Sequence, residues 1–452
     1  MMRRCLAVLL GLIPVTASAQ DPVPPIDQGV RIGITYTPGV RPGLLVLGGP
    51  QTELLDSIRQ ILRRDLEYSD QFEVITLPGG DSLVLGFGGS EDAGPAGGTG
   101  TGPFVNYSLY SALGADYAVA VVPQPTASEY AVTVLDVNGQ IERARVRLTA
   151  SDPRDGAFRM SVHRAADEVV RATTGDAGIA ATRLLFVRGG RLYRVDADGA
   201  ALESVTPPEV TAFSPAWHPS GSRVAASELL DGWAKIAIYD VETASRRVVA
   251  PTGDQLNISP DFSPDGQTLA FTRITEEGAE VYRYNLSRDC CLERLTVGRF
   301  SDNLSPTFSP DGRQIGFVST RAGGTQIYVM AADGTGQELF APFDYGVTGN
   351  SNAPSWSPDG LHIAFHRDVA GSPQVFVMDA RSRVVRQLTS AGRNHDPAWA
   401  PDGRHIAFVS TRTGRRQVWI MDVETGRVRQ LTTMGDARLP SWSPRIPEQT
   451  QP

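Results

Sequence analysis

The sequence predicts an α/β N-terminal domain followed by an all-β six-bladed β-propeller, with a C-terminal strand closing the first blade. Three observations predict it. One motif recurs through the second half. The two ends of that half are complementary fragments of the repeat. The first half alternates short strands with amphipathic helices instead.

The motif is an aromatic residue before a tight turn. It appears as Trp217-His218-Pro219-Ser220-Gly221, Phe262-Ser263-Pro264-Asp265-Gly266, Phe308-Ser309-Pro310-Asp311-Gly312, Trp356-Ser357-Pro358-Asp359-Gly360 and Trp399-Ala400-Pro401-Asp402-Gly403, with a truncated Trp442-Ser443-Pro444. A period of 43 to 48 residues is that of one four-stranded propeller blade. Pro sets φ in the turn and Gly accepts positive φ. Alternating strands follow, such as 314–318 and 405–409, then third strands at 326–330, 374–378 and 417–421. Residues 183–205 supply the last three strands of a blade without its first, and residues 440–444 supply a first strand alone. Joined, they complete one blade, bring the count to six and clasp the ring shut, which removes its open edges.

Strands are expected in the first half at 31–35, 44–47, 72–75, 117–122, 130–137 and 141–149, the last two joined at Asn138-Gly139. Residues 52–68 read as a helix with Leu55, Ile58, Ile61, Leu62 and Leu66 on one face and Thr52 as its cap. Helices are also expected at 104–113 and 157–173. The stretch 79–102 is Gly-rich and reads as a loop. The expected organisation is a signal peptide over 1–19, the α/β domain over 20–173, a linker at 174–182, the propeller over 183–445 and a tail at 446–452.

The first residues match an export signal. Arg3 and Arg4 form a positive region, residues 5–15 an apolar one, and Ala17-Ser18-Ala19 a small-x-small cleavage site leaving Gln20 first. The apolar run before Pro14 is about 10 residues, against roughly 20 for a membrane span. Export is expected, with no later segment able to span a membrane. Beyond the signal the only cysteines are Cys290 and Cys291, which either close a vicinal disulfide or stay as thiols.

A net charge of −8, with no basic run longer than an Arg pair, argues against nucleic acid as a partner. Catalytic constellations are missing. Gly88-Gly89-Ser90-Glu91-Asp92 lacks the last Gly of a nucleophile elbow and has no strand–turn–helix context. Residues 98–102 likewise lack the context of a phosphate loop. His362 and His366 sit about 13 Å apart if on one strand, too far to share an ion. The Asp-Gly turns lack the alternating carboxylates of a calcium loop. No enzyme activity, cofactor or metal is expected, and a monomer is.

What remains is the mouth of the ring. Segments at 211–215, 255–260, 302–306, 351–354, 393–397 and 437–440 read as loops entering the inner strands, all on one face and rich in Asn, Ser, Asp and His. Such a ring on a rigid scaffold is a binding surface. The candidate contact residues are Leu256, Asn257, Ser259, Asp302, Asn303, Leu304, Ser305, Asn352, Asn394 and His395.

This order of parts resembles the TolB family of the Tol–Pal envelope system. The resemblance rests on Ser111 to Asp116 before an apolar strand, on His163 to Val169 leading to Thr174-Gly175, and on the closing Pro440 to Pro444. It implies a non-enzymatic scaffold serving outer-membrane integrity and cell division. It implies a Pal-like peptidoglycan-associated lipoprotein at the mouth, with Leu256, Ser259, Leu304 and Ser305 facing it. It also implies a TolA-like inner-membrane protein bound through Val30, Arg31, Ile32, Gly33 and Ile34. The competing readings are an exported propeller enzyme or lyase acting on sugars in the channel, and a ligand-sensing propeller unrelated to Tol.

Overall fold

The N-terminal domain is built on one mixed sheet whose strands alternate their side chains between two cores. In the computed structural model, residues 41–49, 52–76, 105–126, 128–150, 152–153, 156–243, 245–249, 255–341 and 349–446 are described. The expected signal peptide, the strand at 31–35, the Gly-rich stretch 79–102 and residues 447–452 of the tail lie outside them. The domain comprises β1 (Gly43–Val46), α1 (Glu53–Tyr68), β2 (Glu73–Ile75), α2 (Tyr107–Ala112), β3 (Tyr117–Pro123), β4 (Glu129–Asp136), β5 (Ile141–Thr149) and α3 (Gly156–Thr174). The sheet order is β2-β1-β3-β4-β5, with β1 parallel to β2 and β3 and the rest antiparallel.

Period-two alternation sends Leu44, Val46, Val119 and Val121 to the face covered by α1 and α3. It sends Leu45, Leu47, Ala118 and Ala120 to the face with Tyr110 of α2. Thr52 caps α1 as expected, its Oγ1 accepting the Leu55 N–H at 3.2 Å. The second helix starts later than its pattern suggested, because Asn106 caps it by accepting the Leu109 N–H. Gly43 admits a close crossing: a Cβ there would lie 2.1 Å from the Gly114 carbonyl oxygen.

The expected linker is not a free tether. Ile179, Ala180, Ala181 and Thr182 are buried. The Asp167 carboxylate on α3 accepts the N–H groups of Ala180 and Ala181 at 2.8 and 2.9 Å. Burial pushes that carboxyl up to about 7, against the pull of these two bonds.

The remaining strands form six four-stranded sheets. Blades one to five cover residues 211–249, 256–294, 303–339, 351–387 and 394–430. The sixth, closing blade pairs the C-terminal Arg438–Trp442 with Arg183–Arg188, then Arg191–Asp196 and Glu203–Ser204. The clasp is anchored at Trp442, whose Nε1 donates to Thr182 Oγ1 at 2.8 Å, and by paired bonds between Arg183 and Ser443.

The recurring turn is stabilised by its own side chains. Ser263 Oγ donates to Asp265 at 2.6 Å and accepts the Thr268 N–H, while Gly266 takes φ 69°. Ser309–Asp311 and Ser357–Asp359 repeat the arrangement. These aspartates are turn residues, as their sequence context indicated. Cys290 and Cys291 are joined as a vicinal disulfide beside a hairpin turn.

Helix residues of the α/β domain meet the propeller through buried ions. His163 of α3 sits between Asp65 of α1 at 2.7 Å and Asp196 of the closing blade at 3.6 Å. His405 of blade five contacts Asp402 at 2.6 Å and Asp70, just past α1, at 3.4 Å. Arg64 and Arg159 pair with Asp198, Arg427 with Asp70, and Arg404 with Asp422. The Asp65–His163–Asp198 and Asp70–His405–Asp422 groups have cation-site spacing. These arginine charges already compensate them.

The channel mouth as candidate functional site

Each blade contributes one inner strand to the channel: Thr211–Trp217, Leu256–Phe262, Asn303–Phe308, Ser351–Trp356, Asn394–Trp399 and Arg438–Trp442. The segments expected as entry loops are mostly the first halves of these strands. Their Asn, Ser and Asp content imitates turn chemistry. The structure uses it for a β-bulge instead. Every inner strand slips register once against its neighbour. At each slip a non-glycine residue before proline takes the left-handed conformation: Ser214 (φ 49°), Ser259 (52°), Ser305 (50°), Ala353 (51°), Asp396 (53°) and Leu439 (52°).

Neighbouring blades hold this ring in place. The Ser259 N–H donates to Ser227 Oγ, the Ser305 N–H to Thr272 Oγ1 and the Asp396 N–H to His366 Nδ1. The bulge residues surround an axial cavity of about 380 Å³. Ser259 and Ser305 therefore line the channel wall rather than rim loops.

The other candidates divide. Asn257, Asn303 and Asn394 are buried. The amide of Asn303 donates to Glu280 and accepts from Arg321, and that of Asn394 donates to Gln374 and accepts from Arg412. These two brace neighbouring strands, with their polar groups engaged inside the ring. Asp302 is exposed, and Leu256, Leu304, Asn352 and His395 are half-buried. The TolA-type segment, Val30 to Ile34, lies outside the described residues.

Two acids of the wall titrate differently. Asp261 is pushed up to about 7 by burial, although its carboxylate accepts the Phe308 N–H at 2.7 Å. Burial also acts on Asp396, but a 2.9 Å hydrogen bond from His395 and the charges of both histidines leave it below the usual carboxylate range. Burial depresses His366. His362 lies near Trp399, while His366 faces Asp396 and His395.

Sequence reasoning missed the apolar part of this face. Each inner strand runs from the mouth to the Pro-containing turn. The hairpins between second and third strands, and the crossings into the next blade, therefore lie at the mouth. Of the 11 exposed large hydrophobics among the described residues, Val297 and Phe300 lie in those segments, and Leu229, Leu230, Trp233 and Val369 on the strand ends that flank them. Phe300, with φ 64°, is fully exposed two residues before Asp302. An aromatic in a polar connection leaves no periodic signal.

Comparison with known proteins agrees with this architecture. The family model described as "TolB beta propeller domain" matches residues 170–342 and 345–448. The "Tol-Pal system protein TolB" of Anaeromyxobacter dehalogenans (strain 2CP-C) is 36% identical over 26% of this chain and 28% of its own length. That of Anaeromyxobacter sp. (strain K) is 32% identical over 47% of this chain and 46% of its own. The chain thus matches less than half the length of these curated relatives. A crystal structure of TolB from Acinetobacter baumannii, 23% identical, superposes with a TM-score of 0.73 over 91% of this chain and 98% of that one, and so shares the fold. No helix among the described residues is long and apolar enough to cross a membrane. With more than half of its residues matched by the family model, the chain belongs to the TolB β-propeller family.

Proposed function

We propose that this protein is a non-enzymatic periplasmic scaffold of a Tol–Pal-type envelope system, serving outer-membrane integrity and cell division. It holds a Pal-like peptidoglycan-associated lipoprotein on the channel mouth. It engages a TolA-like inner-membrane protein through Val30, Arg31, Ile32, Gly33 and Ile34. The observation that carries the reading is the exposed apolar set at the mouth, beside a ring of left-handed bulges on a rigid scaffold. Hydrophobic anchors with a polar surround are the composition of a protein-binding face. The contacts fall to Leu256, Ser259, Asp302, Leu304, Ser305, Asn352 and His395, with Phe300 added. Asn303 and Asn394 brace the strands that carry them, and Asn257 is buried beside Leu256.

Titration calorimetry with the Pal-like and TolA-like domains of the same organism tests both halves. Removal of residues 20–34 abolishes binding of the TolA-like domain and leaves a Pal-like complex. Failure of the intact protein to bind the Pal-like domain contradicts the mouth assignment. Retained TolA-like binding after the truncation contradicts the N-terminal one.

A further inference from the structure

Charge is spread unevenly over the mouth face. Its hairpin turns on blades one and two carry exposed Asp231, Glu276 and Glu277, the last of them paired with Arg294 at 3.4 Å. Between blade five and the closing blade the same face opens into a cleft of about 730 Å³, lined by Arg188, Arg191, Arg415, Arg416 and Tyr193 with Asp436. Four guanidinium groups thus face one carboxylate in a protein whose net charge is −8.

The arginines differ in what engages them. Arg416 lies 3.8 Å from Asp436. Among the described residues Arg188 donates to the carbonyl groups of Met434 and Gly435, and Arg191 to Ser204 and the Thr206 carbonyl, and neither meets a carboxylate. Arg415 is exposed and, among the described residues, has no hydrogen-bond or ionic partner. Its chain crosses Gly435, where a Cβ would meet Arg415 Cδ at 3.1 Å. Among the described residues, Asp436 is the one carboxylate set against the four guanidinium groups of the cleft. Guanidinium groups favour planar, bidentate oxyanions such as carboxylates. The volume falls in the range of a ligand pocket, roughly 300–1,000 Å³, which suits a few residues of extended chain.

We infer that this cleft binds a carboxylate-rich segment of a protein partner, as a second, electrostatic contact beside the channel. The inference rests on the mouth being a protein-docking face, and it adds an orientation. The acidic segment is drawn to blade five and the closing blade and repelled by the acidic turns of blades one and two. A protein partner is favoured over a membrane surface because exposed apolar anchors and the channel share the face.

The test uses the full mature protein, a fluorescein-labelled glutamate-rich peptide and its glutamine counterpart, read by anisotropy at low and physiological salt. Arg415→Glu with Arg416→Glu changes two exposed side chains, and an unchanged melting curve checks its fold. The glutamate peptide binds the wild type, more weakly as salt shortens the screening length to about 8 Å. It binds the double variant at least about tenfold more weakly, equivalent to about 1.4 kcal/mol. The glutamine peptide does not bind, and Arg313→Glu on the opposite face changes nothing. Equal binding to wild type and double variant overturns the inference. So does binding of phosphatidylglycerol vesicles or inorganic phosphate at the cleft without binding of the peptide. A Pal-like domain titrated in parallel separates the two readings. If Ser305→Arg abolishes its binding and the arginine variant does not alter it, the mouth assignment stands and the acidic contact fails.

Discussion

The Nε2 atom of His405, in blade five, lies 3.4 Å from the Asp70 carboxylate of the α/β domain, and both side chains are buried. Burial alone would depress this imidazole. The charge and hydrogen bond of Asp402, then Asp70, instead hold it up at about 9. A histidine raised from an unfolded value near 6.5 stabilises the fold fully below about pH 6.5, and that contribution fades as pH climbs through about 9. The stability difference between wild type and His405→Gln should be constant below pH 6.5. It should shrink above it, by at most about 1.4 kcal/mol per pH unit. Urea melts across pH 5.5 to 9.5 measure it. A difference that grows with pH would show that the imidazole is buried neutral.

Closing the ring with the C-terminal strand gives Trp442 its importance. It is buried, and its indole N–H is bonded to Thr182. Trp442→Ala should cost about 3–5 kcal/mol, as large-to-small core changes do. That is a large part of a typical total of about 5–15 kcal/mol. Thermal unfolding reads it, and a melting temperature within a degree or two of wild type would place the closure elsewhere.

The Asp167 clamp makes a similar claim for the domain junction. Asp167→Ala removes the acceptor of two backbone N–H groups and should destabilise by about 2–6 kcal/mol, since each buried donor left unmade costs about 1–3. Amide exchange should rise at Ala180 and Ala181 before it does in the blades. Uniform loss of protection would instead show that the clamp and the propeller open together.

Much of this architecture was legible from sequence because blade chemistry is local. A Pro beside a positive-φ Gly marks each turn, and period-two alternation marks each strand. The complementary fragments at 183–205 and 440–444 fixed the closure. The inner strands were less legible. Ser259-Pro260 and Asp396-Pro397 look like turns, and only the neighbouring blade's Ser227 or His366 shows that the left-handed residue sits inside a strand. Asn303 and Asn394 read as surface donors, whereas their partners Glu280 and Gln374 lie 20 or more residues away in sequence. Phe300 and the cleft arginines carry no pattern at all, since their meaning comes from which blade faces them.

The rim makes its own prediction through Phe300. Aromatic anchors dominate protein interfaces, and truncating one typically costs 2 kcal/mol or more, roughly thirtyfold in affinity. Phe300→Ala should weaken the Pal-like complex by about that factor while leaving the melting temperature unchanged, because the ring is fully exposed among the described residues. Unaltered affinity would exclude blades two and three from the interface.

The most direct test of the mouth assignment sets its two faces against each other by calorimetric titration of the Pal-like domain. Ser259→Arg and Ser305→Arg each place a long charged side chain in the channel wall. Gln267→Arg and Arg313→Glu alter charge beside the opposite turns. Burying an unpaired charge costs several kcal/mol, so the account predicts losses of roughly a hundredfold or more for the serine variants and none for the other pair. Equal losses from the two faces, or undiminished binding to the serine variants, would contradict it.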